Sequence, residues 1–210
     1  MTYVASLLTL AAVYLAVLAS PGPNFFILSQ LALEGRAREA RWTVLGLTTG
    51  SIVWVVLSLA GLSAVFGSHP MLAAAVRVVG AIYLIWYGVG LLKAALKPRA
   101  APSASTGVLP VAAAPSAAYR TGLMTGLTNP KGAAFWTSAF AAMLPVNAPG
   151  WFLAATVSMV ALLSLGWHLG ITAVFGLPRL RSRYLRFERA INGVAGGALV
   201  LLGVQRAVSR

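Results

Sequence analysis

Lys131 is the residue whose chemistry is hardest to explain by packing. It stands in Thr128-Asn129-Pro130-Lys131-Gly132, in the middle of an otherwise apolar stretch. A lysine near the centre of a bilayer costs about 2.5–3.5 kcal/mol on insertion scales, so it normally faces a cavity or a partner. Two roles fit it: attraction of an anionic group such as a substrate carboxylate, or snorkelling from the end of a shorter helix. A second stretch of similar make-up, Ser20-Pro21-Gly22-Pro23-Asn24, lies in a run with no charged residue from Met1 to Leu33. Proline lacks the amide hydrogen and its ring clashes with the preceding turn, and glycine is loosely held, so neither stretch continues an ordinary helix. In hydrocarbon, such irregular backbone survives only where protein or a water-filled cavity surrounds it.

The polar residues at the two breaks suit a zwitterion. Asn24 and Asn129 donate and accept hydrogen bonds, with Ser20 and Thr128 beside them, and the same asparagines could equally satisfy the broken backbone. Amides freed where the helices restart, after Pro23 and Pro130, would add fixed positive dipole ends. The candidate substrate-binding set is therefore Ser20, Pro21, Gly22, Pro23, Asn24, Thr128, Asn129, Pro130 and Lys131. His168 titrates near neutrality and is a candidate proton relay, or a satisfied packing residue. The alternative for the breaks themselves is two independent proline kinks.

These residues must be held by membrane helices. Hydrophobic residues make up 59% of the 210-residue chain and charged ones 9%, against about 25% charged in soluble domains. The expected fold is all-α, an integral membrane helical bundle. A net charge of +13 could point to nucleic acid. The Lys and Arg instead gather in short segments between apolar spans, which is the positive-inside pattern, so no nucleic-acid partner is expected. The absence of cysteine removes thiol relays, thiolate metal sites and disulfides. No cofactor or metal is expected, and no basic n-region of a cleaved signal peptide precedes the first apolar run.

Six apolar segments are expected. The first, about 3–33, would be about 45 Å long if wholly helical, against a hydrocarbon core of about 30 Å. The others are about 42–66, 71–96, 119–144, 151–175 and 190–208. Residues 97–118, rich in Pro, Ala and Ser, form a flexible cytoplasmic linker between a first three-helix repeat (1–96) and a second (119–210). Gly46-xxx-Gly50 and Gly166-xxx-Gly170 are close-packing patterns that leave room for a homodimer. Tyr83, Trp86 and Tyr87 read as interfacial belt or bundle packing, and Arg77 as a helix-end residue.

The segments after spans one and five carry three and five Lys or Arg, and the segment after span three carries four when Lys93 and Arg120 at its edges are counted, whereas the turns after spans two and four carry none if Arg77 belongs to the third span. The basic segments are therefore expected in the cytoplasm and both termini outside. A re-entrant first segment would give five spans and an inside N-terminus. Each half opens with a broken span, continues with a Gly-xxx-Gly span and ends glycine-rich. Three spans is an odd number, so the expected arrangement is an inverted 3+3 repeat with broken first and fourth helices, which places a transport site near the midplane. Pro130 lies about 15 Å along a helix from Arg120, and Pro21 about 20 Å from Glu34, so both breaks fall at similar depth. No Asp or Glu lies within a span: Glu34, Glu39 and Glu188 are all at loop positions. That disfavours a cationic substrate.

Ser20-Pro21-Gly22-Pro23-Asn24, Asn129-Pro130-Lys131, the Gly46/Gly50 span and the Gly80-x-x-Tyr83-Leu84 to Gly88 stretch together resemble the LysE/RhtB family of amino-acid exporters, over nearly the whole chain. The resemblance implies efflux of amino acids across the bacterial inner membrane, driven by a proton or other ion gradient. Pro21, Gly22, Pro23, Asn24, Asn129, Pro130 and Lys131 match its motif positions. The lysine-exporting branch tends to carry an acid in the second span. Here that region reads Gly46-Leu-Thr-Thr-Gly50-Ser51, which implies the RhtB-like branch and a neutral substrate such as threonine, homoserine or leucine. The rival readings are export of basic amino acids, a metal ion or another small solute, and, from another class, an intramembrane enzyme or a non-transporting scaffold. Only His69 and His168 are available as histidines, with no His-Glu-x-x-His and no Asp pair.

Overall fold

The computed structural model describes residues 3–68, 70–96, 114–143 and 148–208, which form eight helices: α1 (Tyr3–Ala19), α2 (Pro23–Leu33), α3 (Ala37–Ser68), α4 (Pro70–Leu96), α5 (Pro115–Leu127), α6 (Pro130–Met143), α7 (Gly150–Gly176) and α8 (Pro178–Val208). No strand occurs among the described residues. All six expected segments are helical, and the first and fourth are each split in two. Residues 97–113, the 144–147 part of the turn before α7, His69 and the side chain of Arg77 lie outside what is described.

Four helices, α3, α4, α7 and α8, are long and apolar enough to cross a membrane. The pair α1/α2, bent by 56° at its break, makes a fifth if it counts as one span. The fourth segment is two helices of 13 and 14 residues, roughly 20 Å each and too short to cross alone. The described helices thus give four or five spans by length and composition rather than the expected six.

Prolines set several starts. Pro115, Pro130 and Pro178 each stand at a first helical position, where the missing amide is not needed and φ is already helical. Hence α5 begins four residues before the expected Tyr119, inside the stretch expected as linker. The basic stretch Arg179–Arg189, expected as a loop, is the first part of α8. The connection between α2 and α3 is similarly short. Gly35 takes φ +72°, open to glycine without strain, and Arg36 follows it. The Arg36 Nε donates to Glu39 Oε1 at 2.8 Å and its NH1 to Glu34 Oε2 at 3.1 Å. The two carboxylates, Glu39 foremost, push the guanidinium further above its ordinary value. Glu39 is buried in the first turn of α3, not in a loop, where an acid also complements the helix dipole.

Close approach is decided by glycine. A methyl group on Gly46 would overlap the Tyr119 carbonyl, and one on Gly122 would overlap the Thr43 carbonyl, so α3 and α5 pack backbone to backbone. By contrast, a methyl on Gly166 or Gly170 would meet nothing. That second Gly-xxx-Gly pattern faces outward and does not pack within the chain. Further packing pairs α4 with α8 and α6, α7 with α3 and α2, and α1 with α8 and α7.

The apolar core falls into two clusters. The larger joins Leu10, Val13 and Tyr14 of α1 to Phe135, Trp136 and Phe140 of α6, and extends into α4, α7 and α8. The smaller gathers Leu28, Ala32, Val44, Leu47, Ile171 and Phe175 from α2, α3 and α7. Large apolar side chains such as Leu8, Trp86, Leu162 and Leu201 are exposed on the outside, as expected where the surroundings are lipid.

Candidate functional site

The two breaks meet. Asn129 Nδ2 donates to Asn24 Oδ1 at 3.0 Å, and Lys131 Nζ donates to the Ser20 carbonyl at 2.7 Å. Each break is short. After Ala19 the chain leaves the helix for Ser20–Gly22, with Gly22 extended, and restarts at Pro23. After Leu127 only Thr128 and Asn129 intervene before Pro130. Asn129 also caps its own helix: its Oδ1 accepts from the Lys131 amide at 3.0 Å. Of the amides expected to present a positive dipole end, the one at Lys131 is therefore already satisfied.

A cavity of about 50 Å³ lies at this meeting point, lined by Ser20, Gly22, Asn24, Asn129 and Lys131 from the breaks and by His168 from α7. It separates the two apolar clusters: Tyr14, Phe135 and Trp136 belong to the larger, and Ile171 to the smaller. The volume holds water but not an amino acid, since sites for small organic ligands run to about 300–1,000 Å³. Thr128 is excluded from the cavity. Its side chain is exposed and donates to Met124 O at 2.7 Å within α5. Pro21 and Pro23 shape the backbone without lining the space.

His168 is buried and bonded, its Nδ1 lying 3.2 Å from Ser164 Oγ. Ser164 Oγ lies 3.4 Å from Thr48 Oγ1. Tyr14 lines the same cavity, and its hydroxyl is buried without a hydrogen-bond partner among the described residues. The i, i+4 spacing of Ser164 and His168 was readable from sequence, because it puts both on one helix face. Tyr14 shares its face with Leu10, Val13 and Val17, and only its hydroxyl sets it apart.

Two further residues were missed. Tyr87, expected at an interface or in bundle packing, has its hydroxyl 3.1 Å from Ser20 Oγ, and its ring stands 5.9 Å from the Lys131 ammonium. Trp86 beside it is exposed, as an interfacial residue should be. Tyr184, in the basic part of α8, donates to Ala19 O at 3.0 Å. Both contacts join residues far apart in sequence, and no local pattern announces them.

The helices, their apolar exteriors and the polar centre together define a multi-pass α-helical membrane protein with a cavity between two broken helices. Residues 15–210 match the family described as LysE type translocator. The chain belongs to that family and is a translocator rather than an enzyme. It is 32% identical over 202 residues to a threonine efflux protein of Salmonella typhi, covering 96% of this chain and 97% of that protein. It is equally similar, 32% over 203 residues, to a threonine efflux protein of Escherichia coli (strain K12), covering 97% and 98%. A leucine efflux protein of Klebsiella pneumoniae is 32% identical over 146 residues, or 67% of this chain and 66% of that protein. No solved structure matches the chain.

Proposed function

We propose that the protein exports neutral amino acids, of the threonine, homoserine or leucine kind, through the cavity between the two breaks. The observation that carries this reading is the bridging of the breaks around a lysine: Lys131 and Asn129 from one, Ser20 and Asn24 from the other. Lys131 takes the substrate carboxylate, a charged acceptor to which it bonds more strongly than to a neutral carbonyl. Asn24 and Asn129 take the ammonium through their side-chain oxygens. The efflux activities named for the relatives support the substrate class, and the lack of a carboxylate among the cavity residues disfavours a cationic side chain.

The cavity in this form, too small for an amino acid, is one stage of a cycle. The smaller cluster lies on the side of the basic segments and the larger cluster on the other, and the halves rock to open one at a time. An inverted 3+3 repeat of six spans is supported by the packing. Exchanging the halves turns α2 on α7 into α6 on α3 and α3 on α4 into α7 on α8, and it leaves α3 on α7 and α4 on α8 unchanged. The basic segments lie in the cytoplasm of a bacterium, the protein in its inner membrane, and both termini on the outer side. The His168–Ser164–Thr48 hydroxyl chain, which reaches the cavity, carries the coupling proton.

The test is radiolabelled efflux from loaded vesicles across neutral and basic amino acids, with and without an uncoupler. Neutral substrates leave and the uncoupler stops them. Lys131→Ala abolishes efflux while the protein stays in the membrane. Efflux undiminished in that variant would sink the role given to Lys131.

A further inference from the structure

The bend between α1 and α2 is held by side chains from three other helices. Tyr184 of α8 donates to Ala19 O at 3.0 Å. Lys131 of α6 donates to Ser20 O at 2.7 Å. Tyr87 of α4 pairs with the Ser20 hydroxyl at 3.1 Å. Helix ends leave their last carbonyls without partners, and the prolines at 21 and 23 prevent the chain from supplying amides in helical register. Tyr184 and Lys131 take over that task for Ala19 O and Ser20 O. The Tyr184 ring also stacks on Phe25 of α2, with centroids 5.4 Å apart and an interplanar angle of 24°, so a single residue grips both sides of the break. The Lys131 side chain runs close past Gly22: a methyl there would lie at ordinary contact distance, 3.5 and 3.6 Å, from its Cδ and Nζ.

We propose that the Ser20 carbonyl is an internal stand-in for the substrate carboxylate, and that Tyr87 and Tyr184 are positioning residues that keep it in place. This rests on the export reading above. In the ligand-free form Lys131 is bonded to Ser20 O. An entering carboxylate takes the ammonium, the carbonyl is released, and α1 is free to change its angle to α2. Substrate binding and movement of the first segment are thereby one event. The two tyrosines bond to atoms that the substrate does not replace, Ala19 O and Ser20 Oγ, so both resist the release. Weakening either one raises the fraction of molecules ready to bind and lowers the apparent dissociation constant by the same factor.

The decisive measurement is the concentration dependence of efflux for Tyr87→Phe and Tyr184→Phe. The KM for the exported amino acid should fall by about two- to tenfold in each, the worth of one hydrogen bond, with no rise in maximal rate per inserted molecule. Ser20→Ala keeps the carbonyl but removes the partner of Tyr87. It should reproduce the Tyr87→Phe shift and not add to it. A merely structural role lowers the amount of protein or the maximal rate and leaves KM unchanged. Because the chain has no cysteine, spin labels on cysteines introduced at the exposed positions Leu8 of α1 and Leu33 of α2 report the bend directly. The exported amino acid should shift the label distance in the otherwise unmodified chain. Lys131→Ala should show the shifted distance with or without it, and the tyrosine variants part of the shift without it. A raised or unchanged KM in both tyrosine variants overturns the proposal, as does a label distance that stays fixed in a chain that exports. Should no amino acid be exported at all, the export reading fails separately. The ligand-free label distances in Lys131→Ala and Tyr184→Phe then still decide whether these residues hold the bend.

Discussion

Asn129 does two tasks with one side chain. Its Oδ1 caps α6 through the Lys131 amide and its Nδ2 bridges to Asn24. The two can be separated. Asn24→Ala and Asn129→Ala both remove the bridge, but only Asn129→Ala removes the cap. Thermal unfolding in detergent should therefore find Asn129→Ala less stable than Asn24→Ala by about 0.5–2 kcal/mol, the usual worth of an N-cap. Equal stability would show that the cap contributes nothing. Thr128 makes a contrasting control. Its hydroxyl serves α5 and its side chain is exposed, so Thr128→Ala should leave the KM for efflux where it was. The sequence made Thr128 equivalent to Asn129, since both are polar and lie within two residues of Pro130. Which of two neighbours faces inward depends on the turn made by the break, and that is set by what α6 packs against.

At the scale of helices, close packing of α3 on α5 positions the second break. Gly46 and Gly122 leave no room for a side chain at their crossing. Gly46→Ala should separate the two helices, lower stability by about 1–3 kcal/mol, and reduce efflux by moving Asn129 and Lys131 away from Ser20. Gly166→Ala meets open space and should be neutral or stabilising by up to about 1 kcal/mol, since alanine is the better helix former. Melting curves of the two variants side by side test this. The two Gly-xxx-Gly patterns look alike in sequence. They differ because a glycine pair permits close approach without requiring it, and only the partner helix shows whether the approach is made. The starts of α5 and α8 carry the same lesson in reverse. Pro115 and Pro178 look like chain breakers, yet each sits where a helix begins, and basic residues after Pro178 do not stop a helix once its first turn is formed.

For the whole molecule, the fifth crossing turns on the bent pair α1/α2 and the sixth on α5 and α6. With six spans, a cysteine introduced at Arg38 should react with an impermeant reagent only from the cytoplasmic side and one at Ala148 only from the outside. Labelling of both from the same side would make α5/α6 a re-entrant pair. Composition alone determined that this chain lives in a membrane, because 59% apolar and 9% charged residues leave no soluble alternative. The lone Lys131 and the clustered Pro, Gly and Asn determined where the backbone must break, because proline cannot donate an amide and hydrocarbon does not forgive a missing one. Family membership followed from the same motifs. Tertiary structure alone decided that the breaks touch, that Lys131 rests on Ser20 O, and that Tyr87 and Tyr184 reach the end of α1 from 67 and 165 residues away. Local sequence encodes what a residue can donate or accept. Which partner it finds depends on how the helices pack, and that is a property of the assembled bundle.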